Sequence, residues 1–184
     1  MKYKSSEEEL FCMKLEQSIQ GKRIRLRDYA KADLTFMMEM WFDEENGKYL
    51  SDPAKDYVDE IYQNALNTLE ESAYGYYLVI ELTDTGERIG SACMFPDESR
   101  QVFDIGYCIH KSRWNQGYGT ETVASLCEWL QENGVNKVTA EVATENTASN
   151  RLLCKLGFVI EKESEFKKLN MDVRFDSYIY VKEI

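Results

Sequence analysis

The chain has 184 residues, 43% of them apolar and 12% aromatic, which is enough for one domain with a packed core. Its formal charge of −11 argues against general nucleic-acid binding, where Lys and Arg must neutralise phosphates, and mildly favours a cationic partner. No apolar run approaches the roughly 20 residues needed to span a bilayer.

The first residues, Met1 to Leu10, are rich in Lys, Ser and Glu and carry no secretory pattern, so a cytoplasmic home is expected. Ser6 and Glu9 have the spacing of a capping box, predicting a short helix reaching towards Ile19 before Gly21 breaks it. Residues 1–21 thus read as an N-terminal extension and 22–184 as a single domain. Lys22 to Asp28 alternates, with Ile24 and Leu26 on one face of a half-buried strand. Leu34, Met37, Met38 and Trp41 follow at helical spacing. Asp52-Pro53 predicts the start of a second helix, with Val58, Ile61, Tyr62, Ala65 and Leu69 on its apolar face.

Tyr74 to Leu82 is rich in aromatic and β-branched residues, and Asp84-Thr85-Gly86 turns it into a second strand, Arg88 to Phe95. A third strand, Val102 to Ile109, follows the turn at Asp97 to Ser99. A loop from Lys111 to Gln116 leads into a helix ending near Glu132, with Gly134 placed as its terminal glycine. Val138 to Val142 is a strand, Asn146 caps a short helix that Gly157 ends, and strands are expected near Phe158 to Glu161 and Phe175 to Val181. This order describes an α+β domain with a mixed central sheet.

The cysteines, Cys12, Cys93, Cys108, Cys127 and Cys154, are odd in number and scattered, with no CxxC pair. Together with the lone His110 they predict neither a metal site nor a disulfide, and free thiols fit a reducing compartment.

The stretch that carries chemistry joins the strand Asp104 to Ile109 with Arg113-Trp114-Asn115-Gln116-Gly117-Tyr118-Gly119-Thr120-Glu121. Two glycines precede a helix whose first N–H groups lack partners, an arrangement suited to phosphate. A dinucleotide-binding loop would need a third glycine and an early place in a run of βαβ units, and both are missing.

Trp114 to Glu121 resembles the coenzyme A pyrophosphate loop of the GNAT acetyltransferases. The aromatic Trp114 is similar to the branch containing the ribosomal-protein N-terminal acetyltransferases. Asn146-Thr147-Ala148-Ser149, followed by Leu152 to Phe158, looks like the family's second cofactor-flanking helix with its Lys-Leu-Gly-Phe ending.

The resemblance implies a mixed, mostly antiparallel sheet whose strands splay to admit acetyl-CoA as cosubstrate. Tyr107, Cys108 and Ile109 would then bind pantetheine through their main chain. Gln116, Gly117, Tyr118, Gly119 and Thr120 would hold the pyrophosphate, with Asn146 flanking the cofactor and Lys111 and Arg113 adding positive charge. Direct transfer to a primary amine needs a proton acceptor, for which Asp104 is the first candidate and Glu141 the second. The tyrosine that many relatives use as proton donor is replaced here by Leu153, leaving Ser149, with Tyr107, Tyr178 and Tyr180 as further donors. The acceptor amine is open among peptide N-termini, polyamines and other small amines, and a homodimer is allowed for. Two alternatives stand beside the enzyme: a degenerate acetyl-CoA-binding domain, and an interaction domain without cofactor.

Overall fold

The computed structural model describes residues 13–184, so the Ser6–Glu9 capping box lies outside the described residues. The described part of the predicted N-terminal helix is not helical. Instead Ile19–Gln20 form a short strand, β1, antiparallel to β2 (Ile24–Asp28). The Asp28 carboxylate accepts the Leu15 N–H at 3.2 Å, and Met13 and Ile19 are buried. A short isolated helix is marginal in water, whereas the extended path buries these side chains against the sheet.

Helix α1 (Leu34–Trp41) forms as its apolar spacing predicts. Helix α2 (Glu60–Asn67) starts seven residues later than expected, because Asp59, not Asp52, meets the cap geometry and accepts the Tyr62 N–H at 2.7 Å. That shift rotates the buried face: Leu66 is buried and Ile61 is 81% exposed. The Asp52 carboxylate instead takes a hydrogen bond from the Tyr62 hydroxyl.

The meander follows as β3 (Tyr76–Leu82), β4 (Arg88–Pro96) and β5 (Val102–Ile109). Then come α3 (Tyr118–Glu132), β6 (Lys137–Ala143), α4 (Thr147–Lys155), β7 (Val159–Lys167) and β8 (Arg174–Glu183). Strand β7 runs well past its expected end at Glu161. It is the outermost strand and mostly exposed, so its sequence carries no alternating apolar face.

The eight strands form one sheet in the order β1-β2-β3-β4-β5-β6-β8-β7, antiparallel except where β5 meets β6. One face is covered by α3 and α4, with Val123, Leu126, Leu130 and Leu153 packed on Leu78, Ile80, Val138 and Ala140. On the other face Met37 and Met40 of α1 pack against Val79 and Cys108. Register fixes the alternation along β5. Cys108 lies opposite Ser91 and, with Asp104, faces α1; Tyr107 lies opposite Ala92 and faces α3.

Candidate active site

Strands β5 and β6 pair in parallel only from Val102–Lys137 to Asp104–Thr139. Beyond that point β5 continues along β4 to Ile109, while β6 continues along β8 to Ala143. The sheet therefore splits between two neighbouring strands. The His110 N–H bonds to the Ile89 carbonyl at 2.8 Å, which fixes the alternation of the β4–β5 ladder. His110, Cys108 and Gly106 turn their peptide groups to β4, and Ile109 and Tyr107 turn theirs into the split.

Of the three residues expected to offer main-chain groups to pantetheine, Tyr107 and Ile109 face the split and Cys108 does not. The Ile109 carbonyl is already used, accepting Trp114 Nε1–H at 2.7 Å and Asn46 Nδ2–H at 3.1 Å. The Tyr107 peptide groups and the Ile109 N–H remain directed into the opening.

The loop after β5 ends on Gly117, the N-cap of α3, at φ +83°. Asn115 is also left-handed, at φ +59°. Such a contour turns successive N–H groups towards one point, as anion-binding nests do. The first helical bond of α3 runs from Glu121 N–H to the Gly117 carbonyl at 3.1 Å, so the N–H groups of Tyr118, Gly119 and Thr120 have no acceptor within the helix. Gly119 serves a different need. A Cβ there would stand 3.1 Å from Leu152 Cδ1 and 3.3 Å from the Tyr107 ring. A side chain there would make Leu152 or Tyr107 give way by a few tenths of an ångström.

The Gln116 side-chain amide donates to the Ser112 carbonyl at 3.3 Å, and the Gln116 main-chain carbonyl accepts Arg23 Nη1–H at 3.1 Å. Lys111 and Arg113 do not face the loop as spare charges. Lys111 pairs with Asp43 at 2.6 Å, and Arg113 pairs with Glu87. Arg23 itself was unforeseen: its Nε bonds to Glu121 Oε2 at 2.8 Å, and its guanidinium lies 4.4 Å from the Tyr118 ring centroid. Its partners lie more than 90 residues away, so no local pattern marks it.

The candidate proton-transfer groups divide between the two faces of the sheet. On the α1 face, Asp104 accepts the Thr139 hydroxyl at 2.8 Å, and Glu141 accepts the Ser177 hydroxyl at 2.6 Å. Asp104 is exposed to solvent, yet the protein around it strips enough hydration to raise its pKa. The Thr139 bond opposes that rise and the Glu141 charge adds to it.

On the α3 face, Asn146 caps α4 by accepting the Ser149 N–H at 3.2 Å, and the Tyr107 hydroxyl donates to Ser149 Oγ at 3.0 Å. Burial raises the Tyr107 pKa against the effect of that bond, so the phenol keeps its proton. Leu153 is fully buried in the core, and the Tyr180 hydroxyl donates to Asn150 Oδ1 at 2.8 Å. Tyr178 packs edge-on against Tyr180.

Two polar side chains brace the loop between α1 and α2 over the α1 face. The buried Asn46 accepts the Lys111 N–H at 2.6 Å and donates to Cys108 Sγ at 3.0 Å as well as to the Ile109 carbonyl. Lys168, on the turn between β7 and β8, donates to the carbonyls of Gly47, Leu50 and Asp52 at 2.8, 2.7 and 3.1 Å. Sequence reasoning missed both, because a single Asn or Lys in a loop announces no partner. Among the described residues no group of three or more His, Cys, Asp or Glu is placed to hold a metal ion. No helix among them is long and apolar enough to cross a membrane.

The split sheet thus lies beside a helix start whose first N–H groups have no acceptor within the helix, a geometry suited to an extended, phosphate-bearing ligand. The acetyltransferase (GNAT) domain family matches residues 23–159, and the chain belongs to that family. It is an N-acetyltransferase, of a family whose enzymes use acetyl-CoA.

An uncharacterized N-acetyltransferase, p20 of Bacillus licheniformis, is 29% identical over 152 residues, covering 77% of this chain and 82% of that protein. A GNAT-family acetyltransferase structure from Bacillus anthracis superposes with a TM-score of 0.75 at 21% identity, covering 91% of this chain and 98% of that one. The ribosomal-protein-S5-alanine acetyltransferase of Vibrio fischeri superposes with a TM-score of 0.69 at 16% identity, covering 91% and 97%. These likenesses bear out the α+β fold with its mixed, mostly antiparallel sheet.

Proposed function

We propose that the chain transfers an acetyl group directly from acetyl-CoA to a primary amine, a peptide N-terminus, polyamine or other small amine, that approaches from the α1 face. The observation that carries this reading is the split between β5 and β6, with proton-accepting groups on one face and hydroxyl donors on the other. The residues present fit acetyl-CoA. The bare Gly119 and left-handed Gly117 leave α3 open at its N-terminus, where the N–H groups of Tyr118, Gly119 and Thr120 would meet the pyrophosphate. The Tyr107 peptide groups and the Ile109 N–H would pair with the pantetheine arm and orient the thioester carbonyl.

When bound, acetyl-CoA supplies an acyl group activated as a thioester. An amine with a pKa near 10 arrives mostly protonated; Asp104 takes that proton and passes it to solvent, freeing the lone pair to attack. The carboxylate then takes the second proton that the nitrogen sheds as the amide forms. Glu141, on the same face, holds the raised Asp104 pKa up and adds attraction for a cation. On the opposite face Ser149 Oγ–H gives a proton to the departing sulfur, and the Tyr107 hydroxyl that donates to Ser149 replaces it and is reprotonated from solvent within the same turnover.

The test is release of CoA thiol with a panel of amines, alongside calorimetry with CoA. Thiol release with at least one amine class supports transfer. CoA binding with no release on any amine would leave a binding domain, and absence of CoA binding would remove the reading altogether.

A further inference from the structure

We propose that Arg23, at the entry to β2, is a phosphate-binding residue of the acetyl-CoA site, presenting Nη2 to the pyrophosphate while its other nitrogens hold the loop in shape. The proposal rests on the acetyl-CoA reading above. Arg23 Nε and Nη1 are fixed by Glu121 Oε2 and the Gln116 carbonyl, and Tyr118 lies under the guanidinium. Nη2 makes no hydrogen bond among the described residues. A Cβ built on Gly117, the N-cap of α3, would lie 3.4 Å from it. Nη2 therefore lies beside Gly117, next to the turn that Asn115 and Gly117 form at the start of α3. The Arg23 side chain is 44% exposed, so a ligand can reach it.

Charge favours the assignment. On the acetyl-CoA reading, a chain of net charge −11 takes a cofactor carrying several negative charges. The two cations in the loop itself, Lys111 and Arg113, are turned to Asp43 and Glu87. Glu121 stands in the first turn of α3, its side chain 14% exposed, where an unpaired carboxylate would repel the pyrophosphate. Burial would raise its pKa, but the Arg23 N–H and guanidinium outweigh that and hold it below the ordinary value. Arg23 thus neutralises Glu121 through Nε and keeps Nη2 for the ligand. A guanidinium suits this double task because its planar fork offers several donors in fixed directions.

The experiment is calorimetry of the full chain with CoA and with 3′-dephospho-CoA, for the wild type, Arg23→Gln, Glu121→Gln, Arg23→Lys and the double variant Arg23→Gln/Glu121→Gln. Arg23→Gln should weaken both ligands by about tenfold or more, the scale of one charge-assisted contact. Arg23→Lys should fall between. The double variant removes the unpaired carboxylate and is the fold control if Arg23→Gln alone is unstable. It should still bind at least about fivefold more weakly than Glu121→Gln, as expected where Nη2 has a contact of its own.

Equal affinity of the double variant and Glu121→Gln would overturn the proposal, because Arg23 would then act only through Glu121. A loss with CoA but not with dephospho-CoA would also overturn it, moving the contact to the 3′-phosphate. Wild-type protein that ignores CoA would sink the acetyl-CoA reading itself, an outcome distinct from normal binding by Arg23→Gln.

Discussion

Tyr107 and Ser149 meet hydroxyl to hydroxyl at 3.0 Å, joining the middle of β5 to the first turn of α4. If this pair delivers the proton to sulfur, Ser149→Ala should lower kcat by about 10²-fold, the lower end of general acid catalysis. The KM for acetyl-CoA should barely move, since the expected cofactor contacts are main-chain groups. Tyr107→Phe keeps the ring that packs near Gly119 and should cost less. Steady-state kinetics on both variants decides it: a larger loss in Tyr107→Phe makes the phenol the direct donor, and normal rates in both exclude the pair.

Asp104→Asn should separate rate from stability. Its carboxyl pKa is raised, so the base form accumulates only as pH climbs through that higher value, and wild-type rate should climb with it. The asparagine variant should lose about 10²- to 10⁴-fold near neutral pH, recovering in part at high pH where more amine is already neutral. Glu141→Gln should have the smaller effect. If Glu141→Gln is crippled and Asp104→Asn is not, the two roles are exchanged.

The same shift carries a stability sign. A carboxyl whose folded pKa is raised opposes folding once pH exceeds its unfolded value, about 3.9, and the penalty disappears as pH falls below it. Asp104→Asn should therefore melt at or above the wild-type temperature at pH 7, with the gap closing in acid. Thermal melts at pH 7 and about pH 3.5 would show it, and a clearly lower Tm at pH 7 would contradict the sign.

Gly119→Val should weaken CoA binding by at least about tenfold, equivalent to about 1.4 kcal/mol. It should also lower the Tm, because its side chain meets Leu152 and Tyr107 as well as the ligand space. Gly119→Ala should show the same two effects at smaller size. Calorimetry finding full CoA affinity in a folded Gly119→Val protein would remove the loop from the site.

Among the described cysteines, Cys154 should react first with a thiol reagent in native protein. It is exposed, whereas burial pushes the Cys93 and Cys108 thiols up to about 12 and Cys127 up to about 11. Cys93 retains some exposed surface, but its sulfur lies 2.8 Å from where a Gly106 Cβ would stand, so it should lag as well. Mass mapping of labelled peptides reads the order, and early labelling at Cys108 would contradict it.

The parts of this molecule that were legible in its sequence are those whose causes are local. Gly86, Gly117 and Gly134 all sit at positive φ where turn and cap chemistry placed them, and Asn146 caps α4. The start of α2 was misplaced because Asp52 and Asp59 both carry cap chemistry, and only the three-dimensional setting of Tyr62 separates them. At the site, the glycine pattern marked the turn and the helix start that the proposed phosphate contacts need. The partition of Asp104 and Tyr107 between opposite faces needed the register of β4 and β5, and Arg23 and Asn46 needed contacts made far along the chain.

The Asn46 carboxamide has the geometry of one extra peptide unit laid along the end of β5, bonded to Ile109 and Lys111 as a neighbouring strand would be. The loop that carries it leads from α1 to α2, over the face where the amine is proposed to enter. One carboxamide therefore ties the loop over the proposed amine entrance to the end of the strand proposed to orient the thioester.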